Sequence, residues 1–113
     1  MVPAEKVSPA GRSFTYAERA ARLRAVADET RVRILRALLQ KDQCVTEVAA
    51  ALGLGQPTVS HHLAILRQAG LVAPRREGKR VVYAVSPEVR PVDGEESCLE
   101  LGCCRISFRP LPP

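Results

Sequence analysis

The stretch VTEVAAALGLGQPTVSHHLAILRQAGLV, Val45 to Val72, decides the fold. Val45, Val48, Ala49 and Leu52 recur at helical spacing, and Gly53 stands where a helix commonly ends in the left-handed conformation. Gly55 then caps a second helix. Gln56-Pro57 opens it where proline is tolerated, Val59, Leu63 and Leu66 form its apolar seam, and Gly70 closes it with Leu71 behind. Two helices joined across Gly53-Leu54-Gly55 have the proportions of a helix-turn-helix. Its only histidines, His61 and His62, are adjacent. Neighbours on a helix point about 100° apart, whereas helical metal pairs use spacings of three or four. They do not make a metal pair. His62, three after Val59 and one before Leu63, belongs to the packed side, and His61 faces outward.

Working outward, Leu71 to Arg76, then Glu77-Gly78, then Lys79 to Val85 reads as a β-hairpin with a Glu77-Gly78 turn, and Pro74 makes its first strand an edge or an irregular one. Upstream, Asp28-Glu29-Thr30 caps a helix over roughly Glu29 to Gln40 whose Leu35, Leu38 and Leu39 share a face, and Lys41-Asp42-Gln43 breaks it. Before it, Tyr16 to Ala27 carries Ala20, Leu23 and Ala27 at helical spacing. The expected organisation is a flexible leader over residues 1–13, a winged helix-turn-helix domain over 14–86 and a cysteine-containing tail over 87–113. The fold class is mainly α with a small β-hairpin. In the tail, Cys98 to Phe108 reads as a short strand or an ordered loop.

At 113 residues with 46% hydrophobic and 26% charged side chains, the chain is one small globular domain. No run of eighteen apolar residues and no signal-peptide pattern occurs, so the expected compartment is the cytoplasm, with no membrane partner. The net charge of +5 is uneven: residues 1–86 carry 14 Lys/Arg against 7 Asp/Glu, and residues 87–113 carry 3 against 5. A basic body next to a helix-turn-helix invites duplex DNA. A helix fits the major groove and offers its first turns to base edges. Gln56, Thr58, Ser60 and His61 face outward there, and Arg75, Arg76, Lys79 and Arg80 cluster at the hairpin, positioned to follow phosphates. No Ser-His-Asp set, paired carboxylates or phosphate loop is present, so no enzyme and no protein substrate are expected.

The segments ADETRVRILRALL, VTEVAAALGLGQPTVSHHLAILRQAGLV and REGKRVVYAVS resemble the ArsR family of metal- and arsenic-responsive winged-helix repressors. The resemblance covers roughly residues 17–86. It implies a homodimer that blocks a promoter until an inducer loosens its hold on operator DNA, with Gln56, Ser60 and His61 at the DNA-facing positions and Arg75 to Arg80 in the wing. It also implies dimer contacts through the terminal elements. One sensing site of the family uses carboxylates and histidines on a C-terminal helix, and no histidine follows His62 here. Another uses a Cys-Val-Cys pattern opening the third helix. Cys44 matches its first thiol and Thr46 replaces its second.

The remaining sulfur lies in SCLELGCCRISF, which holds Cys98, Cys103 and Cys104. Four irregularly spaced cysteines in such a chain read as thiols, not as a disulfide framework. Thiolates select soft acceptors: As(III) foremost, with Sb(III), Cd(II), Pb(II) or Hg(II) as alternatives, and no obligatory cofactor. Cys98, Cys103 and Cys104 are the expected ligands, with Cys44 as a possible fourth. On a regular strand Cys103 points away from the other two, so convergence requires a bend at Leu101-Gly102. Two other readings stand beside this one. The same thiols serve a redox- or persulfide-responsive repressor, or the chain is a metal-carrying thiol protein, a role that has little use for a basic hairpin.

Overall fold

A computed structural model describes residues 14–109, so the leader assigned to residues 1–13 lies outside the described residues, as do the last four of the tail. Four helices come first, α1 (Tyr16–Val26), α2 (Glu29–Gln40), α3 (Val45–Leu52) and α4 (Gln56–Gln68), with a two-residue strand β1 (Gln43–Cys44) before α3. The hairpin strands β2 (Val72–Glu77) and β3 (Arg80–Val85) follow, then a single 3₁₀ turn (Pro87–Val89) and a second hairpin, β4 (Cys98–Glu100) and β5 (Arg105–Ser107). A winged helix-turn-helix is the result.

The caps explain the helix boundaries. The Asp28 carboxylate accepts the Arg31 amide at 3.1 Å to start α2, and Thr15 and Glu18 form a reciprocal box at the start of α1. Gly53 ends α3 at φ 67°, a conformation that costs other residues a clash at Cβ. Ile34, Leu35, Leu38, Val48, Val59, Leu63 and Leu66 are fully buried where α2, α3 and α4 meet. Each such burial stabilises the fold by roughly 1.5–3 kcal/mol.

Two expectations need correction, and one short strand adds to them. The inner face of α1 is Arg19, Arg22, Ala25 and Val26, while Leu23 is 42% exposed and Ala27 is exposed. Arginine lays its methylene stem along an apolar surface and keeps its head polar: Arg22 stacks over the Phe14 ring at 3.7 Å and approaches Glu88 at 3.8 Å. The hairpin turn is Gly78-Lys79, not Glu77-Gly78, because Glu77 pairs across the ladder with Arg80. Gly78 at the first central position has φ 62°. Finally, β1 adds a third strand, giving the order β1-β3-β2, with Gln43 opposite Tyr83 and Cys44 opposite Val82. Pro74 accordingly sits on an edge strand.

The core does not stop at Ser86. Val89, Leu99, Leu101 and Phe108 join the same apolar cluster as α2 and α4. The tail hairpin is therefore packed onto the domain, with Gly102 turning the chain at φ 91°. No helix among the described residues is long and apolar enough to cross a membrane.

Candidate nucleic-acid interface and thiol sites

At the start of α4, Gly55 is in extended conformation and supplies no side-chain cap, and no acidic residue occupies the first turn. The first amides thus keep their positive end toward solvent, where an anion is favoured. Gln56, Thr58, Ser60 and His61 are all exposed around that end, while Val59, Leu63 and Leu66 bind the other face to the core. The helix has one inner seam and one outward, hydrogen-bonding face.

The two histidines part ways. His62 is largely buried, and its Nδ1 lies 3.2 Å from the Arg31 guanidinium and 4.0 Å from Asp28. Arg31 also donates to the carbonyl of Ala25 at 2.6 Å. An arginine has no acceptor to offer, so in the neutral ring Nδ1 is the accepting nitrogen and Nε2 carries the proton. His62 therefore joins α4 to the junction of α1 and α2. His61 is exposed, and its ring meets His62 edge-on, with centroids 5.5 Å apart.

On the wing the four cations are not equivalent. Arg75 is held by Asp42 at 2.5 Å and by Glu77 at 2.6 Å. Its hydrogen bond to Asp42, then that to Glu77, raises its already high pKa. Arg80 is held by Glu47 at 2.7 Å. Arg76 and Lys79 are exposed, and among the described residues they make no ion pair. Exposed pairs of this kind are weak and screened by salt, so a phosphate can replace the carboxylate. Sequence reasoning missed Asp42 and Glu47. Glu47, three residues after the N-cap, was findable from capping spacing, whereas nothing local ties Asp42 to a strand 33 residues later.

The thiols fall into three settings. Cys44 is the half-buried N-cap of α3. Its Sγ lies 3.0 Å from the Thr46 hydroxyl and its backbone amide donates to Glu47 at 2.9 Å. The Thr46 hydrogen bond, followed by the Glu47 amide, holds its thiol below the ordinary range. Cys98 is buried on β4 opposite Ser107. Cys103 and Cys104 are exposed just after Gly102, with sulfurs 3.7 Å apart. Partial burial, then the neighbouring Cys103, pushes the Cys104 thiol up. The bend expected at Leu101-Gly102 is present. It gathers Cys103 with Cys104 and leaves Cys98 in the ladder. Among the described residues, no three His, Cys, Asp or Glu side chains stand ready to share a metal ion.

Residues 28–73 match the family described as "Bacterial regulatory protein, arsR family". The chain is 43% identical over 65 residues to the arsenical resistance operon repressor of Escherichia coli K12, a match covering 57% of this chain and 56% of that one. It is 36% identical over 88 residues to a probable mercury resistance operon repressor of Streptomyces lividans, covering 72% and 70%. Among solved structures, the homodimeric winged helix-turn-helix DNA-binding domain Mb0332 of Mycobacterium bovis superposes with TM-score 0.62 at 36% identity, covering 64% of this chain and 67% of that one. The chain spans about half the length of the arsenic-resistance relatives it matches.

Proposed function

Because the chain belongs to the ArsR family of bacterial regulatory proteins, we propose that it is a homodimeric, sequence-specific transcriptional repressor, released from operator DNA by a thiophilic metalloid or soft metal, As(III) foremost. The observation that carries this reading is the open first turn of α4, ringed by Gln56, Thr58, Ser60 and His61 and flanked by the unpaired wing cations Arg76 and Lys79. Gln56, Thr58, Ser60 and His61 read base edges. Arg75, Arg76, Lys79 and Arg80 supply the salt-dependent hold on the backbone, with Arg75 and Arg80 exchanging Asp42 and Glu47 for phosphate. Residues 14–86 form the DNA-binding unit, and the segment from residue 87 onward is the sensing element.

Two copies would set their α4 helices about 34 Å apart, one turn of DNA. Tyr16 and Leu23, 61% and 42% exposed on the outer side of α1, are apolar surface suited to that pairing. The inducer site is assigned to Cys103 and Cys104, with Cys98, or Cys44 beside it, as the sulfur that completes a third coordination. Binding there needs only about 1.4 kcal/mol of coupling to cost tenfold in operator affinity. The site of action is the cytoplasm, where the DNA is.

The test is an operator titration challenged in turn with As(III), Sb(III), Cd(II), Pb(II), Hg(II) and Zn(II), repeated with Cys98, Cys103 and Cys104 all changed to serine. Release by As(III) from the parent chain and not from the triple variant is expected. Release of the triple variant by the same inducer overturns the sensing assignment, and absence of any duplex binding at low salt overturns the repressor.

A further inference from the structure

Where the tail packs against α2, the two enclose a cleft of about 250 Å³. None of its lining residues belongs to α4, to the wing or to the Cys103–Cys104 turn. Leu39 and Phe108 supply its apolar floor. Both belong to or pack on the central cluster, Leu39 half-buried and Phe108 9% exposed. The polar lining is charged: Arg36 comes from α2, and Glu96 and Arg109 come from the tail.

These charges are loosely held. Arg36 is exposed, and among the described residues it makes no ion pair. The Arg109 guanidinium approaches Glu95 only to 3.7 Å, an exposed pair of the weak kind that another carboxylate can displace. Glu95 is engaged elsewhere, accepting the Ser97 hydroxyl at 2.8 Å. Glu96 is exposed on the same cleft and pairs with neither arginine. Two guanidinium groups against one carboxylate leave the lining cationic. The tail side is already fixed. The Phe108 amide donates to the Ser97 carbonyl at 2.8 Å and so fastens the two ends of the hairpin together. Filling the cleft then orders little further chain, which keeps the entropic cost of binding low.

We infer that the cleft between α2 and the end of the tail is a binding site for a small organic monocarboxylate with a compact apolar body. The Leu39–Phe108 floor takes the body, and the planar fork of a guanidinium matches the two carboxylate oxygens. The volume falls just below the roughly 300–1,000 Å³ of drug-sized sites, which limits the body to about one ring. Phosphate, or any wholly polar anion, leaves the apolar floor uncovered. A neutral apolar molecule leaves the guanidinium groups unused. A dianion brings its second charge against Glu96. A carboxylate shared by Arg36 and Arg109 joins α2 to the chain beyond β5. The inference goes beyond the repressor reading and does not depend on it.

The experiment titrates the full, reduced, isotope-labelled chain with benzoate and follows its amide shifts by NMR. One saturable site is expected, with a dissociation constant below about 1 mM and the largest shifts at Leu39, Gln40, Ser97 and Phe108. Arg36→Gln and Arg109→Gln should each weaken binding at least fivefold, and Glu96→Gln should tighten it. Arg24→Gln, at an exposed arginine of α1 outside the cleft, should leave it unchanged within twofold. Acetate, which lacks the apolar body, and benzamide, which lacks the charge, should each bind at least tenfold more weakly than benzoate. Any of three results overturns the inference: no saturable shift up to about 10 mM benzoate, acetate binding as well as benzoate, or unchanged affinity in the Arg36→Gln/Arg109→Gln double variant. Every substitution is at an exposed side chain, and amide spectra unaltered away from the cleft check that each variant is folded.

Discussion

Arg80 on the wing donates to Glu47 Oε1 at 2.7 Å, and the same oxygen receives the backbone amide of Cys44 at 2.9 Å. One carboxylate therefore restrains a wing cation and starts α3. Arg76→Ala and Lys79→Ala should each lower DNA affinity on all sequences and flatten the salt dependence by about 0.9 in log–log slope, as expected for one lost phosphate contact. Arg80→Ala should cost more, because it also leaves Glu47 as an uncompensated negative charge beside the phosphates. Adding Glu47→Gln should recover part of that excess. Titrations at several salt concentrations, treated as a double-mutant cycle, check the coupling.

The neighbouring histidines should separate stability from recognition. His61→Ala removes only an exposed edge-on contact with His62, so its unfolding free energy should stay within about 0.5 kcal/mol of the parent, while operator affinity falls. His62→Ala removes the acceptor for Arg31 in a part-buried site and should cost roughly 1–3 kcal/mol in urea unfolding. Inverted results for the pair would disprove the division of labour.

Thiol reactivity should be ordered by setting. The Cys44 thiol is lowered and the Cys104 thiol raised, so alkylation at Cys44 should rise at a lower pH than at Cys104. Thr46→Val removes the largest cause and should move the Cys44 profile upward. Iodoacetamide labelling rates against pH, resolved by peptide mass, measure both.

Acid should unfold the chain partly through Asp28. Its carboxyl is held below its ordinary value, first by the Arg31 amide and then, against the opposing effect of partial burial, by the charges of Arg31 and His62. A lowered folded-state pKa means that the stabilisation is present above the unfolded value of about 3.9 and is lost as pH falls through the folded one. Stability of the parent should therefore drop, as pH falls below about 4, more steeply than that of Asp28→Asn. Parallel slopes for the two proteins would exclude this contribution.

Gly102→Ala combines a left-handed backbone at φ 91° with a Cβ only 2.8 Å from the buried Phe14 ring. It should cost about 1–3 kcal/mol. Gly78→Ala, whose Cβ would meet open space at φ 62°, should cost only the backbone penalty of roughly 1 kcal/mol. Thermal unfolding of both variants gives the comparison.

Much of this architecture could be read from the chain because its signals are local. Asp28 and Gly53 mark helix ends, and Val59, Leu63 and Leu66 keep the helical period through α4. The inner face of α1 was not readable, since Arg19 and Arg22 are buried by their stems while hydrophobic periodicity counts only apolar residues. The turn at Gly78-Lys79 was misplaced by one residue because strand register depends on Glu77 meeting Arg80, a cross-strand fact. Likewise, the bend at Gly102 followed from glycine and cysteine spacing, but which thiols it gathers depends on Cys98 pairing with Ser107. The restraint of Arg75 by Asp42 joins residues 33 apart in sequence, with no pattern to announce it.

The two-residue strand Gln43–Cys44 has a mechanical effect out of proportion to its length. It stitches the middle strand of the wing to the residue from which α3 springs, and α3 carries α4. Wing and α4 are thereby riveted into one head, with backbone pairing across its neck. Under the proposed reading, a signal received at the tail would have to act by swinging that head as a block against a second copy.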